Sequence, residues 1–539
     1  MNPGPLVATP RFALATRSAG VLLHPTSLPS PHGVGDLGSA ARAFVDFLSA
    51  AGLRWWQMLP THPPGPGNSP YSALSAFAIS PLLISLDQLA AQGWLEKRDL
   101  KAPAGLPAGR VVYPAVAKFK RDRLRRAFLA FLAGGGLTRP DYRDYCDRNA
   151  AWLDPFAFFM ALRTHLKDKP WTTWPDELRR CSPDIIRRTG HDYRDHAEFE
   201  RFCQWLADQQ WSELRQYAHD HGVALLGDIP IFVAPDSADV WSHQHLFDLE
   251  ADGRPRTQSG VPPDMFSKTG QLWRHPQYRW DRHEKSGFAW WLSRFRRCFD
   301  QFDAVRLDHF IGYHRVWSVP GRDKTAKNGK WVPTPGRALF RMLRGELGAQ
   351  LQVIAEDLGA TTSETHRLRD EFGFPGMRLL HFAWGTTDDA GRENQPHNFP
   401  RSCVVYPGTH DNETTVGWFR SLRAAAAKRR AKRGDLTAAQ RALRYLGTTG
   451  REIHWDLIRL AFASPACTAV IPAQDLLGLD NRARMNTPAT ERGNWEWRLL
   501  PNQLNPRIAA RLRELGVTYE RIPTSSDADQ RSRSARRSD

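Results

Sequence analysis

The sequence predicts an α/β protein built on a (β/α)8 TIM barrel, with inserted subdomains around the barrel mouth and no C-terminal β-sandwich. Eight short apolar runs follow one another along the chain, and most are too unbroken for a sheet with one solvated face. Helical patterns lie between many of the runs, and polar residues collect at their carboxyl ends. Parallel strands that alternate with helices form barrels whose functional site lies where the strands end.

The eight runs are rich in Val, Ile and Leu, and each is bounded by Gly, Pro or Asp. In chain order they are GVLLHPTSL (20–28), LRWWQML (53–59), VALLGDIPIFV (223–233), FDAVRLDHF (302–310), LQVIAEDLG (351–359), GMRLLHFAW (376–384), SCVVYPGTHD (402–411) and CTAVIPAQDLLG (467–478). Strands that are buried on both faces have this composition. We therefore expect each run to form one barrel strand.

Helical spacing is clearest in the segment that precedes the third run. In residues 198–222, apolar side chains recur every three or four positions, and Gly222 supplies a stop. The segment SAARAFVDFLSAAG (39–52) has the same pattern between the first two runs. These segments predict the helices that connect successive strands.

The spacing of the runs predicts the domain boundaries. About 160 residues separate the second run from the third, far more than a connecting loop needs. We expect an inserted subdomain mainly within residues 60–197, packed on the barrel mouth. The barrel domain itself is predicted to span 19–522, after an N-terminal extension over 1–18. Residues 523–539 mix Ser, Arg and Asp without an apolar period and predict a disordered basic tail.

Composition narrows the classes of partner and the compartment. The formal net charge of +17 would attract nucleic acid, but no nucleic-acid-binding motif is present, so we expect none to bind. The six cysteines include no C-x-x-C pair, which disfavours a zinc knuckle or a disulfide framework and favours reduced thiols. The first 20 residues lack a sustained apolar run, and no stretch is long enough to span a membrane. We expect a cytoplasmic protein without membrane contact.

The fourth run ends in VRLDH, which carries the first candidate residues. Alternation along a strand places Arg306 and Asp308 on the same face, which points into the barrel mouth. A guanidinium close to a carboxylate favours its ionised form, and an ionised Asp308 is a competent nucleophile. A structural salt bridge is the other interpretation of this segment alone.

Two further runs also end in carboxylates. The fifth run ends in IAEDLG, where Glu356 and Asp357 follow each other at the tip of an apolar strand, so one points inward and the other away. Partial burial would raise the pKa of the inward carboxyl and suit it to general-acid work. The seventh run ends in GTHDN, which places His410 and Asp411 at the same height.

Three inward carboxylates without metal-ligand spacing predict retaining glycoside chemistry, with one nucleophile, one acid/base and one acid that orients sugar hydroxyls. The sequence contains no H-E-x-x-H, G-x-S-x-G, P-loop or EF-hand motif, so other common chemistries lack their signatures. We expect no cofactor and no metal.

Several longer strings make a family resemblance specific. They are GVLLHPTSLPSPHGVGDLG, LLGDIPIFVAPDSADVW, GVPPDMFSKTGQLW, VRLDHF, AEDLG, FGFPGM, GTHDN, RMNTPATERGNW and WRL. In this order they resemble the conserved segments of amylomaltases, the 4-alpha-glucanotransferases or disproportionating enzymes related to the α-amylase clan. The resemblance covers the chain from about residue 19 to about residue 500.

The resemblance implies a role for each matching residue. Asp308 corresponds to the nucleophile, Glu356 to the acid/base and Asp411 to the transition-state stabiliser. The residues implied in substrate binding are Arg306, His410, Tyr71, Asp236, Asp264 and Trp273. Asp264 and Trp273 lie in GVPPDMFSKTGQLW, which in the family forms a loop over the glucan.

The sequence departs from the family pattern at three positions. Pro66 replaces a tyrosine that forms a second, surface glucan site in some members, so the sequence leaves open whether this chain has that site. Ile311 stands where the family has Arg, and Glu413 replaces an Asp. None of these changes touches a catalytic carboxylate.

The expected activity is transfer of an α-1,4-glucan segment to the 4-OH of glucose or another α-1,4-glucan by a retaining double displacement. Expected substrates are maltooligosaccharides, amylose or glycogen-derived glucans, with glucose as acceptor; the oligomeric state stays open. A retaining α-glucan hydrolase is the alternative within this class, since water can replace the acceptor. A catalytically silent glucan-binding module and a basic nucleic-acid binder are alternatives from other classes.

Overall fold

The computed structural model describes residues 11–181, 192–263, 267–359, 361–385, 389–428 and 436–522. A closed barrel of parallel strands lies at its centre, which confirms the predicted fold class. The barrel strands are β1 (Ser18–Leu22), β2 (Trp55–Gln57), β3 (Ala224–Ile229), β6 (Ala304–Leu307), β9 (Val353–Ala355), β10 (Gly376–Leu379), β11 (Cys403–Tyr406) and β12 (Thr468–Pro472). Each pairs with the next barrel strand along the chain, and β12 pairs with β1 to close the ring.

Each barrel strand overlaps one of the eight apolar runs, so all eight strand predictions are confirmed. The strands are shorter than the runs because the runs continue past the strand ends into loops and short 3-10 helices. β3 ends immediately before Pro230, which has no N–H to donate to a neighbouring strand. After β10 the chain forms a short 3-10 helix, Leu380–Phe382.

Alternate residues of the strands enter two separate apolar layers. Val21, Leu225 and Val305 join a core that also contains helix residues such as Phe44, so their side chains face the surrounding helices. The neighbouring strand residues, including Leu22, Leu226, Ala304, Ile354 and Val404, form a second core inside the barrel. Burial on both faces explains why the runs are continuously apolar.

Helices surround the barrel and fill the connections between strands. The α-helices are Ser39–Ala50, Leu86–Ala91, Tyr113–Ala133, Pro140–His165, Asp176–Arg179, Arg194–Asp220, Ala238–Ser242, Trp280–Lys285, Ala289–Gln301, Gly336–Leu347, Ser363–Glu371, Asp389–Glu393, Thr415–Lys428, Ala438–Leu446, Ile453–Ala463, Ala473–Leu476 and Pro506–Thr518. Both helices that the sequence predicts explicitly are present, at Ser39–Ala50 and Arg194–Asp220.

The long connection between β2 and β3 is mainly helical. Its helices Tyr113–Ala133 and Pro140–His165 pack on helix Arg194–Asp220, and aromatic rings fill the contact. The ring of Phe131 lies 4.8 Å from Phe202 and 5.5 Å from Trp205, measured between centroids. The division of this stretch into a separate subdomain over 60–197 stays a prediction.

A second, antiparallel sheet unites two other connections. Its strands are β4 (Thr257–Val261), β5 (Gln271–Pro276), β7 (Arg315–Pro320) and β8 (Lys330–Pro333), in the order β5-β4-β7-β8. The segment GVPPDMFSKTGQLW, expected as a loop, thus begins and ends in paired strands. The sheet joins the connection after β3 to the connection after β6, which contains Asp308.

After β12, the described residues 473–522 form helices and contain no strand, so a C-terminal β-sandwich is absent from this part of the chain. The predicted tail over 523–539 and residues 1–10 of the predicted extension lie outside the described residues. All six cysteines are free thiols. Among the described helices, none combines the length and the apolar character needed to cross a bilayer.

Candidate active site

Arg306 is the centre of a polar cluster at the carboxyl end of the barrel. It lies on β6 in the inward register of Ala304, and only 5% of the residue is exposed. Its Nη1 lies 2.9 and 2.8 Å from the two carboxylate oxygens of Asp228, the residue paired with it on β3. The same atom lies 3.0 Å from Oδ1 of Asp308, and Nη2 lies 3.8 Å from Oε2 of Glu356. One guanidinium therefore contacts carboxylates from three neighbouring strands.

Asp308 follows β6 directly, and its backbone N–H donates to the carbonyl of Ile229 at 3.0 Å. Its side chain is 28% exposed, whereas that of Asp228 is fully enclosed, so Asp308 reaches the open mouth. Burial raises the pKa of Asp308 above its usual value, and Arg306 acts in the opposite direction. The guanidinium thus has the ionising effect expected from the sequence, but burial outweighs it.

Glu356 follows β9, and its carboxylate turns toward β6. Its Oε2 accepts the backbone N–H of His309 at 2.6 Å. Burial raises the pKa of Glu356 to about 8, while Arg306 lowers it and the charge of Asp308 raises it. The next residue, Asp357, points away from the site, where it contacts Arg369 and accepts the Met377 N–H. A pKa raised in this way favours the protonated form of Glu356 at neutral pH.

Asp411 lies in the loop after β11, and a distant segment fixes its position. Its Oδ1 accepts a hydrogen bond from Nδ2 of Asn486 at 2.6 Å, and its carbonyl accepts one from Arg484 at 2.6 Å. The Nε2 of His410 lies 3.4 Å from Oδ2 of Asp411. With 45% of its side chain exposed, Asp411 is the most open of the three predicted carboxylates.

Tyr71 and His410 form an aromatic wall beside these carboxylates. Their rings are stacked, with centroids 5.2 Å apart and 12° between the planes. The Tyr71 hydroxyl donates to Oδ2 of Asp228 at 2.7 Å. Burial lowers the pKa of His410 to about 4, so its imidazole is neutral at pH 7. The structure therefore brings together Arg306, Asp308, Glu356, Tyr71, His410 and Asp411.

The remaining three predicted residues are not part of this cluster. Trp273 is on β5, and its ring meets His309 edge-on at 4.7 Å, one residue from Asp308. Asp236 is turned toward the β2–β3 connection, where its carboxylate contacts Arg163 and accepts the Trp171 N–H at 3.1 Å. Asp264 lies outside the described residues. In the part of the chain that the structure describes, no three His, Cys, Asp or Glu side chains are grouped to hold a metal ion.

Comparison with known proteins shows which family this chain belongs to. The family model described as 4-alpha-glucanotransferase matches residues 23–503. The chain belongs to the 4-alpha-glucanotransferase family. Within this family, the 4-alpha-glucanotransferase of Thermus thermophilus is 43% identical over 519 residues, and that of Synechocystis sp. is 42% identical over 512 residues. Each alignment covers 94% of this chain and 99% of the relative.

A solved structure extends the agreement with the 4-alpha-glucanotransferase family to three dimensions. The amylomaltase from Streptococcus agalactiae in complex with acarbose matches with a TM-score of 0.88 and 35% sequence identity. The match covers 94% of this chain and all of that chain. The family resemblance inferred from the motifs is confirmed.

Asp228 and Asn486 contact the predicted site residues but were not themselves predicted from the sequence. Asp228 carries a usable signal, because it is an acid in an apolar run with the same inward register as Leu226. Asn486 carries none, since it meets Asp411 only through a loop 75 residues further along the chain. Both belong to strings that are typical of 4-alpha-glucanotransferases.

At two positions where the chain departs from the 4-alpha-glucanotransferase pattern, the neighbouring residues accommodate the replacement side chain. Ile311 is buried in the 3-10 helix Phe310–Tyr313, where an apolar side chain fits. Glu413 accepts hydrogen bonds from Asn481 at 2.6 Å and Ser421 at 2.7 Å. Its carboxylate is therefore engaged with neighbouring loops beside the site.

Proposed function

We propose that this chain performs its 4-alpha-glucanotransferase reaction with Asp308 as nucleophile, Glu356 as acid/base and Asp411 as stabiliser of the transition state. The observation that carries this assignment is the contact of one guanidinium, that of Arg306, with both Asp308 and Glu356. Two carboxyl groups in one site with different surroundings are what retaining glycoside chemistry requires.

In the first step, the Asp308 carboxylate attacks the anomeric carbon of a donor glucose. Glu356 gives its proton to the glycosidic oxygen, which leaves with the rest of the chain as a free 4-OH. In the second step, Glu356 takes the proton of an acceptor 4-OH as that oxygen attacks the same carbon and releases Asp308. Two inversions restore the α configuration.

The electrostatics of the site suit this exchange of roles. The free site holds Glu356 as an acid because burial and the nearby Asp308 charge raise its pKa. When Asp308 becomes an ester its charge disappears, so the pKa of Glu356 falls just as that group has given up its proton. The ionised Glu356 is then ready to act as the base of the second step.

The side walls support sugar binding. The partly exposed ring of Tyr71 offers an apolar surface with the buried His410 stacked against it, and Asp411 exposes oxygens that accept hydrogen bonds from hydroxyl groups. We assign maltooligosaccharides, amylose or glycogen-derived glucans as donors, and glucose or another α-1,4-glucan as acceptor. Roles for Asp236 and Asp264 in binding stay predictions.

The hydrolase alternative differs only in the acceptor. The β4–β5 hairpin favours transfer because it brings the indole of Trp273 against His309, beside the nucleophile, where it helps exclude water. Pro262 and Pro263 follow β4 directly and restrict the backbone of this hairpin.

The test is to incubate the protein with maltotriose and to follow both free reducing ends and product lengths. Transfer keeps the number of reducing ends constant while shorter and longer chains appear. A rise in reducing ends that matches the loss of maltotriose would identify a hydrolase and overturn the proposal.

A further inference from the structure

Trp495 has an unusual backbone conformation for a bulky residue. Its φ is +66°, in the left-handed region where side chains other than Gly, Asn and Asp are rarely found. The surroundings hold it there from both sides: its N–H donates to the Met485 carbonyl at 2.7 Å, and its carbonyl accepts the Tyr113 hydroxyl at 2.8 Å. Strain that is held in this way often accompanies a functional requirement.

The strained backbone places the indole against the aromatic wall of the site. The ring centroid of Trp495 lies 5.9 Å from that of Tyr71 and 5.9 Å from that of His410, with tilts of 47° and 41°. Only 6% of Trp495 is exposed, so the indole offers almost no surface to a glucan. It supports the two rings from behind.

The segment around Trp495 is fastened to the β2–β3 connection. Val111 donates its N–H to the Glu496 carbonyl at 2.7 Å, and Arg498 donates to Gly109 at 3.0 Å. These bonds lie just before helix Tyr113–Ala133, whose first residue bonds the Trp495 carbonyl. The backbone that carries the indole is therefore held by the β2–β3 connection and not only by the strands that carry the carboxylates.

We propose that Trp495 is a positioning residue of the transfer reaction, which acts by bracing the Tyr71–His410 stack. The brace keeps the Tyr71 hydroxyl on Asp228 and keeps His410 beside Asp411. The inference rests on the proposed function, because that function assigns these side chains to the donor glucose and its transition state. Trp495 itself touches no reacting atom.

Two substitutions at this position separate bracing from stability. Trp495→Ala and Trp495→Gly both remove the indole, but glycine adopts a φ of +66° without strain. We expect Trp495→Gly to melt at a higher temperature than Trp495→Ala. Both should lose kcat for maltotriose redistribution equally, by about tenfold or more. Trp495→Phe, which restores an aromatic ring, should recover part of kcat.

Trp455→Ala is the matched control, because Trp455 is buried to a similar extent, with 7% exposed, on helix Ile453–Ala463, where its ring packs against Arg511. It should lower the melting temperature and leave kcat unchanged. Activity that follows stability across the set, with Trp495→Gly close to the wild type, would show a merely structural role and overturn the inference.

A double variant tests the route of action. If Trp495 works through Tyr71, Tyr71→Ala combined with Trp495→Ala should lose less than the product of the two single losses in kcat. A loss equal to that product would overturn the inference. The proposed function fails by a different observation, namely release of reducing ends by the wild type. In that case the effect of the Trp495 variants is measured on the rate of hydrolysis, since both reactions use the same carboxylates.

Discussion

At the scale of single residues, one buried cation organises the site. Arg306 contacts Asp228 through both carboxylate oxygens and also contacts Asp308, so a single guanidinium holds two carboxyl groups. Burial raises the pKa of Asp228 to about 7, while Arg306 and the Tyr71 hydroxyl lower it. Asp228 is enclosed and Asp308 is open to the mouth. The enclosed carboxylate orients the guanidinium, and the open one is left to react.

The nucleophile assignment predicts the effect of Asp308→Asn. An amide cannot form the glycosyl ester, so redistribution of maltotriose should fall below about one hundredth of the wild-type rate. Circular dichroism should show an intact fold, because the change is nearly isosteric. The control is Asp281→Asn, an exposed aspartate that pairs with Arg279 and should leave the rate unchanged. A folded Asp308→Asn protein with substantial activity, free of wild-type contamination, would exclude Asp308 as nucleophile.

The raised pKa of Glu356 predicts an alkaline limb in the pH dependence of kcat/KM. The first step needs the protonated acid, so activity should fall as the pH rises through about 8. Protonation of Asp308 should produce the acid limb. Glu356→Gln should remove the alkaline limb and lower the rate by about 100-fold or more. An alkaline limb that persists in Glu356→Gln would assign it to another group.

The same pKa predicts how Glu356 affects stability. Its folded-state pKa lies above the usual value, so the native state binds this proton more tightly than the unfolded state does. The contribution is therefore greatest at low pH and is lost as the pH rises through about 8. Glu356→Gln should melt above the wild type by a margin that grows between about pH 5 and pH 9. A difference in melting temperature between the two proteins that stays constant across this pH range would contradict the burial of an ionisable acid.

The residues that the sequence could reveal are those on or directly after the strands. Strand alternation places Arg306 and Asp308 on one face, and the structure has them in contact. Asn486 and Trp495 had no such signal, because each meets the site through a loop whose path depends on packing against the β2–β3 connection. The local periodicity of a sequence carries no information about contacts between segments that are far apart in the chain.

At the scale of elements, the barrel strands were predictable and the antiparallel sheet was not. Strands buried on two faces must be apolar at every position, which leaves a continuous run in the sequence. Strands β4, β5, β7 and β8 are only partly buried, and β4 pairs with β7 from a different connection. Such pairing joins segments more than 50 residues apart and leaves no local pattern.

The antiparallel sheet predicts how water is excluded. Trp273→Ala removes the ring that lies against His309, so the hydrolysed fraction of maltotriose should rise several-fold relative to transfer. Trp331→Ala is the matched control, since Trp331 lies on the same sheet but packs against Arg315 and Trp317. Its ratio of hydrolysis to transfer should equal that of the wild type. An unchanged ratio of hydrolysis to transfer in Trp273→Ala would show that the β4–β5 hairpin does not exclude water from the site.

At the scale of the whole molecule, the barrel closes where the first and last strands meet, and Arg521 binds both sides of that seam. Its guanidinium donates to the carbonyls of Ser18, at the start of β1, and Cys467, just before β12. It also bonds carbonyls at the end of helix Ile453–Ala463, including Ala461 and Phe462. Burial lowers the pKa of Arg521 to about 9. These bonds connect the segment after helix Pro506–Thr518 to the strand pair that completes the ring.

Two shortened chains test the seam. A chain that ends at Ile522 keeps Arg521, whereas one that ends at Glu520 loses it together with Ile522, whose side chain packs against Gly52 and Gly516. Losing Arg521 removes hydrogen bonds to several carbonyl oxygens, some of which keep Arg17 as a second donor, and each lost bond costs about 0.5–1.5 kcal/mol of unfolding free energy. The chain ending at Glu520 should therefore melt several degrees below the chain ending at Ile522.

In the full-length chain, the melting temperature of Arg521→Lys should lie between those of the two shortened chains, because one ammonium cannot reach all the carbonyls that the planar guanidinium bonds. Equal melting temperatures for all of these proteins would show that closure of the barrel does not depend on Arg521.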